Sequence, residues 1–204
     1  FLIRENQPVL TYTPWIGAPG LLFDRVFGLI PRAPVYLLAF VGAIPLWRRA
    51  RAGHGVETAA LAAGSLLSFV YIADIAYWWA DGSPPSRYAL GSIPLLIAAV
   101  AAGWEIVLAR PWPRVLASLA VIASAVVAYV YAVLPNIRYD LALDIRASGS
   151  SGGLFDVLAR ATGVDIGQVF PSLVRIDVGS SAIALGWIVL VVVLVFAGRR
   201  AART

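Results

Sequence analysis

Apolar residues gather in five runs along the chain, separated by stretches rich in Arg, Asp, Gly and Pro. A helix that crosses a bilayer needs about 20 predominantly apolar residues to cover its hydrocarbon core. The runs place spans over about 33–47, 57–79, 88–109, 115–134 and 181–197. The first is short, with Pro34 in its first turn and Pro45 positioned to kink its end. Ala and Gly recur inside the runs, as in Ala59-Ala60, Ala98-Ala99 and Ala101-Ala102-Gly103. Small residues let helix backbones approach closely where no hydrophobic force drives helices together. The pattern predicts an all-α, polytopic transmembrane bundle of about five spans. No internal repeat is visible.

Between the second and third runs lies Tyr77-Trp78-Trp79-Ala80-Asp81-Gly82-Ser83-Pro84-Pro85-Ser86-Arg87-Tyr88. Its aromatic rings suit the membrane–water boundary. Its Gly-Ser-Pro-Pro core cannot continue a helix, because Pro lacks an N–H and its ring clashes with the preceding turn. It reads as a stiff, water-facing turn joining two spans.

The ends of the runs differ. Residues 1–32 form a juxtamembrane segment broken by Pro8, Pro14, Gly17, Pro19 and Gly20, so no long helix fits before Leu21. Leu21–Ile30 reads as a short amphipathic helix with Leu22, Phe23, Val26 and Phe27 toward lipid or protein. Residues 33–134 hold four spans, and Arg110-Pro111-Trp112-Pro113-Arg114 reads as a tight basic turn between two of them. Residues 135–178 are polar enough to leave the bilayer. There, Ser148–Gly153 reads as a flexible linker. Leu154–Thr162 reads as a short helix stopped by Gly163, and Val174–Val178 as extended. Residues 179–204 supply the last span and a basic tail.

Charge orients the bundle. The turns after spans one and three, and the tail after span five, carry Arg48, Arg49, Arg51, Arg110, Arg114, Arg199, Arg200 and Arg203, with no Asp or Glu. The opposite side carries Asp24, Asp81, Asp140, Asp144, Asp156, Asp165 and Asp177, mixed with Arg. The positive-inside rule then puts the carboxyl terminus in the cytoplasm and the 135–178 loop outside.

Composition supports the membrane reading. The chain is 60% hydrophobic, with a mean hydropathy of +0.83, against about 45–50% apolar in a soluble domain. Lys is absent, so Arg carries all 16 positive charges. These flank apolar runs, which fits anionic headgroups better than nucleic acid. With no Cys and one His, neither a disulfide nor a transition-metal site is expected, and no cofactor is implied. The chain starts at Phe1 and contains no Met, which reads as the carboxyl-terminal part of a longer protein.

Few residues could carry chemistry. Asp74 falls in the second span on one face with Tyr71, Tyr77 and Trp78. A carboxylate there is costly, so it marks either a polar pocket or a rim group paired with Arg87 or a hydroxyl. Glu105 reads as an interfacial carboxylate near Arg110 or Arg114, and His54 as solvated in a Gly-rich turn. Ser150–Gly153 fits a linker better than a phosphate cradle, and no P-loop, dinucleotide fingerprint or nucleophile elbow is present. Arg87 follows the Pro84-Pro85-Ser86 run. A guanidinium held at the surface suits a phosphate or pyrophosphate headgroup, or is an ordinary rim anchor. Asp24, Arg25 and Arg32 could approach the same rim.

Two stretches resemble a known family. Leu21–Ala39, LLFDRVFGLIPRAPVYLLA, and the Trp78–Tyr88 turn followed by Pro94-Leu95-Leu96 resemble bacterial membrane proteins akin to protein mannosyltransferases. Together they cover less than a fifth of the chain, and the Pro-Pro-x-Arg-Tyr turn is the distinctive part. Gly91 departs from the Pro such proteins often carry. The resemblance implies a transferase that moves a sugar from a polyprenyl-phosphate carrier at the outer face of the bacterial inner membrane. In that family the catalytic carboxylate lies in the first outward loop, to which no residue here corresponds, so no catalytic residue is assigned. Arg87 is the one position that carries over, as a carrier-phosphate contact; Asp74 and Asp24 are substrate-binding candidates from their place at the rim alone. The expected partners are the lipid bilayer, a lipid-linked sugar and other membrane subunits. The alternative is a non-catalytic structural or accessory subunit of a larger membrane complex. A transporter would need buried charge at midplane depth, which Asp74 near the rim does not supply.

Overall fold

The computed structural model describes residues 14–53, 55–75, 78, 87–134, 137, 152–174 and 178–201. The described residues are mainly helical, with no strand among them. The helices in chain order are α1 (Pro14–Phe23), α2 (Leu29–Arg32), α3 (Leu37–Gly53), α4 (Gly55–Ala73), α5 (Ile93–Leu108), α6 (Pro111–Val133), α7 (Gly153–Thr162) and α8 (Val178–Ala201). Short 3₁₀ turns over Pro34–Tyr36 and Arg87–Ser92 lead into α3 and α5, and a third covers Ile166–Val169.

Four helices are long and apolar enough to cross a membrane: Gly55–Ala73, Ala89–Leu108, Pro111–Val133 and Val178–Ala201. Their outward faces carry Leu66 and Leu67 on α4, Leu116, Leu119 and Ile122 on α6, and Leu185, Val189 and Val193 on α8, all exposed. Exposed aliphatic rows of this extent are solvated by hydrocarbon, not water. The protein is an α-helical membrane bundle.

Helix α3 has 17 residues, about 26 Å of rise, and is the least apolar of the five. It lies inside, packed on α5 and α8. A Cβ placed on Gly42 would fall on the carbonyl oxygen of Ala99, and one on Gly103 would fall on that of Leu38. Gly198 meets the carbonyl of Val41 in the same way. Only Gly permits backbones this close. Leu38, Val41, Val107 and Ala117 fill the remaining space, with Trp104 and Leu194 against them.

Polar groups inside the bundle find partners across helices. Ser124 of α6 donates to the Ala120 carbonyl at 2.7 Å and accepts the Val35 N–H at 3.0 Å. That N–H opens the 3₁₀ turn before α3, where no carbonyl precedes it in the helix. Ser92 donates to the Ser65 carbonyl at 3.2 Å, tying the start of α5 to α4.

The last turns of α3, α5 and α8 meet at one end, where Arg48, Arg49, Glu105 and Ala201 line a common hollow. At the other end, α1, α2, α7 and the 163–174 segment form a small cap. Its core joins Leu21, Val26 and Phe27 to Ala73, Trp78, Leu173, Val174 and Ala184.

The element boundaries correct several expectations. Helix α1 forms where Pro and Gly argued against one, and the chain turns at Asp24 inside the stretch read as a helix. Gly17 lies under the Ala73 carbonyl and Gly20 under the Trp78 ring, so close packing on α4 fixes α1. Helix α3 continues through Pro45 into the Arg run. Helix α4 stops at Ala73, which places Asp74 in the following turn and not in the span. Pro111–Arg114 is the first turn of α6, not a loop, because a Pro at the first helical position removes no intrahelical bond. The short helix expected before Gly163 forms, and Gly163 ends it with a φ of 74°. Residues 148–151 of the linker and 175–177 of the extended stretch lie outside the described residues.

The Gly contacts give the first prediction. Gly42→Leu or Gly103→Leu should destabilise the bundle by about 1–3 kcal/mol or more through overpacking. At Gly64, by contrast, a Cβ would meet nothing within 4 Å, so Gly64→Ala should be neutral or stabilising by up to about 1 kcal/mol. Thermal unfolding of the purified protein in detergent checks both.

Candidate functional site

The densest polar arrangement is in the cap, at Asp24. Its side chain is fully buried. One carboxylate oxygen accepts the N–H groups of Val26 at 2.9 Å and Phe27 at 3.0 Å. This is the local turn that Asp forms readily just after a helix, and it ends α1. The other oxygen accepts the N–H groups of Leu173 at 2.7 Å and Val174 at 3.3 Å, 149 and 150 residues away. Arg25 returns a bond, its N–H donating to the Pro171 carbonyl at 2.9 Å. Ser180, at the start of α8, accepts the Ser172 N–H at 3.3 Å. A single carboxylate thus closes the junction between the 24–28 turn and the 171–174 segment.

Burial pushes the Asp24 carboxyl above the usual carboxylate range, and the four backbone amides oppose that shift without cancelling it.

Arg32 ends α2 and is also buried. Its Nη2 donates to the Val26 carbonyl, in the turn that Asp24 holds. Its guanidinium lies 5.6 Å from the Tyr131 ring centre of α6 and 5.5 Å from that of Phe155 on α7. From Phe155 the aromatic contacts run on: Phe155 to Phe170 at 5.8 Å, Phe170 to Trp187 at 5.0 Å, Trp187 to Phe23 at 5.5 Å. Trp187 of α8 also donates its indole N–H to the Val169 carbonyl at 2.8 Å. This chain of rings binds α1, α7 and the 166–170 segment to α6 and α8.

The other candidates separate. Asp74 is half-buried in the turn after α4, its N–H donating to the carbonyls of Val70 at 3.1 Å and Tyr71 at 3.3 Å. Arg87 begins the 3₁₀ turn that packs on α4 through Gly91 and Ser92; its side chain, like residues 79–86 and His54, lies outside the described residues. Glu105 pairs with Arg49 of α3 at 2.5 Å, not with Arg110 or Arg114. Because α3 and α5 end together, the partner comes from the neighbouring helix. No group of three His, Asp or Glu side chains able to hold a metal occurs among the described residues.

No protein-family model matches the chain, and no curated protein or solved structure matches it either.

Sequence reasoning placed Asp24 and Arg32 at one rim. It missed Phe155, Phe170, Trp187 and Tyr131, which join that rim from four separate segments. The spacing Asp24-x-Val26-Phe27 signals the local turn; nothing in the sequence signals Leu173 and Val174 as the second pair of donors.

Asp24→Ala should destabilise the cap by more than about 3 kcal/mol, since it strands four buried N–H groups at about 1–3 kcal/mol each. Hydrogen exchange at the Leu173 and Val174 amides should accelerate with it. Arg32→Lys should cost about 1–2 kcal/mol, because an ammonium cannot lie flat between two rings. Thermal unfolding followed by circular dichroism reads both.

Proposed function

We propose that this chain is a membrane-embedded structural unit of a larger protein or complex, with the cap held outward on the bundle. The observation that carries this reading is the Asp24 junction: the cap's buried carboxylate is taken up by four backbone amides, so it fixes position and does not face a ligand. The gathering of Arg48, Arg49 and Arg110 at the opposite end supports a cytoplasmic placement for that end and for the carboxyl terminus. The cap then faces the outer side, in a bacterial inner membrane if the resemblance holds. The full-length protein, extracted in mild detergent, should co-purify in fixed ratio with further membrane subunits. Recovery as a lone chain with full enzymatic activity of its own would reject this reading.

A second reading is sugar transfer from a polyprenyl-phosphate carrier at the outer face, with this chain as the carboxyl-terminal membrane part. Its support is the resemblance in the Trp78–Tyr88 turn, together with the position of Asp74 at the end of α4 beside α1. Arg87 would hold the carrier phosphate and Asp74 would line the pocket. In the full-length protein, Arg87→Ala and Asp74→Asn should each lower transfer from a lipid-linked donor at least about tenfold, the loss of one charge-assisted contact. Unchanged transfer in both variants removes this reading.

A further inference from the structure

At the Arg-rich end, α3, α5, α6 and α8 do not close on one another. They leave a hollow of about 340 Å³, lined along its length by Leu38, Val41, Leu116, Ala120, Leu190 and Leu194. Arg110 and Pro113 stand at its mouth. A second hollow of about 390 Å³, lined by Pro45, Arg48, Arg49 and Glu105, adjoins it, and Ile106 and Ala201 line both. An apolar trough and a charged one therefore share part of their wall.

We infer that this double hollow is a binding site for an anionic phospholipid, with an acyl chain in the trough and the phosphate at the arginines. Any groove on a membrane bundle fills with hydrocarbon; the charge at this mouth is what makes it selective. Arg48, Arg49 and Arg110 line the two hollows, and Glu105 is the one carboxylate among their lining residues. Arg49 is engaged with Glu105 at 2.5 Å, which leaves the rim with a net excess of positive charge and suits one phosphodiester. Guanidinium groups match phosphate oxygens in geometry as well as charge. Arg110 projects from the turn between α5 and α6, and Ala120 lies almost three turns along α6, so head and chain sites are separated along the bundle as in a lipid.

The test uses the full chain purified in detergent, titrated with phosphatidylglycerol or with phosphatidylcholine of the same acyl chains, and read by native mass spectrometry and melting midpoint. Phosphatidylglycerol should bind one per chain and raise the midpoint; phosphatidylcholine, which has the same phosphodiester but adds a choline cation that the arginines repel, should bind at least about tenfold more weakly. Glycerol 3-phosphate, a phosphate ester without acyl chains, should give no shift. Arg110→Gln should remove the preference between the two lipids. Ala120→Phe should block the trough and weaken both lipids while leaving the lipid-free midpoint near that of the unchanged protein. If Ala120→Phe lowers that midpoint, Leu190→Phe fills the same trough from α8 and serves instead. Equal binding of the two lipids, an unaltered preference in Arg110→Gln, or a shift with glycerol 3-phosphate alone would overturn the inference. So would a dimer that either trough-filling variant splits, since the trough would then hold a second copy.

Discussion

One buried carboxylate holds the two distant parts of the cap together. Asp24 joins a turn near the start of the described chain to a segment just before the last helix. Its two oxygens have different tasks. The bonds to Val26 and Phe27 are local and can form as soon as α1 ends. The bonds to Leu173 and Val174 join positions 149 and 150 residues apart, so they carry a loop-closure cost that the local pair does not. Once formed, the junction sets the 171–174 backbone, and that backbone sets Phe170 against Trp187 and Phe155. Arg32 enters through the same turn, by way of the Val26 carbonyl.

The bundle obeys a different constraint. Hydrocarbon offers no hydrogen-bond partners, so each backbone group freed by Pro or by a helix start must be satisfied inside the protein. Ser124 does this for the N–H of Val35, and Ser92 joins α5 to the Ser65 carbonyl. The same constraint explains why the least apolar helix is central. Helix α3 carries Pro45 and runs into Arg48, Arg49 and Arg51. Shielded by α5 and α8, it does not need a lipid-facing surface on every side. Its Gly42 meets Ala99 and Gly103 so closely that backbone, not side chain, forms the interface.

The sequence made the all-α membrane architecture legible because hydrocarbon imposes long apolar runs. Helices α5, α6 and α8 fall on three of the expected spans. Boundaries were less legible, since they depend on neighbours. Pro19 sits inside α1 because Ala73 and Trp78 press on Gly17 and Gly20 from the α4 side. Glu105 took its partner from α3 because helix direction, invisible in local spacing, brings Arg49 to it. At the candidate site, Asp24 and Arg32 stood out as charges next to apolar residues. Their partners did not, because Leu173, Val174 and Phe155 look like ordinary apolar positions until the fold brings them near. A backbone N–H, moreover, leaves no trace in residue identity.

The two ends of the molecule therefore handle charge in opposite ways. In the cap, Asp24 and Arg32 are buried, and their bonds fix the shape of protein backbone. At the other end, Arg49 and Glu105 are both more than half exposed, and the neighbouring arginines rim an open trough. A buried charge confers position because it cannot exchange its partners for water without a large penalty. An exposed guanidinium exchanges partners readily and is available for recognition. The cap accordingly keeps a fixed outline, while the Arg-rich end keeps its charge exposed at the surface. The same physics, the cost of taking a charge out of water, thus makes charge a fixed strut at one end of the bundle and an exchangeable surface group at the other.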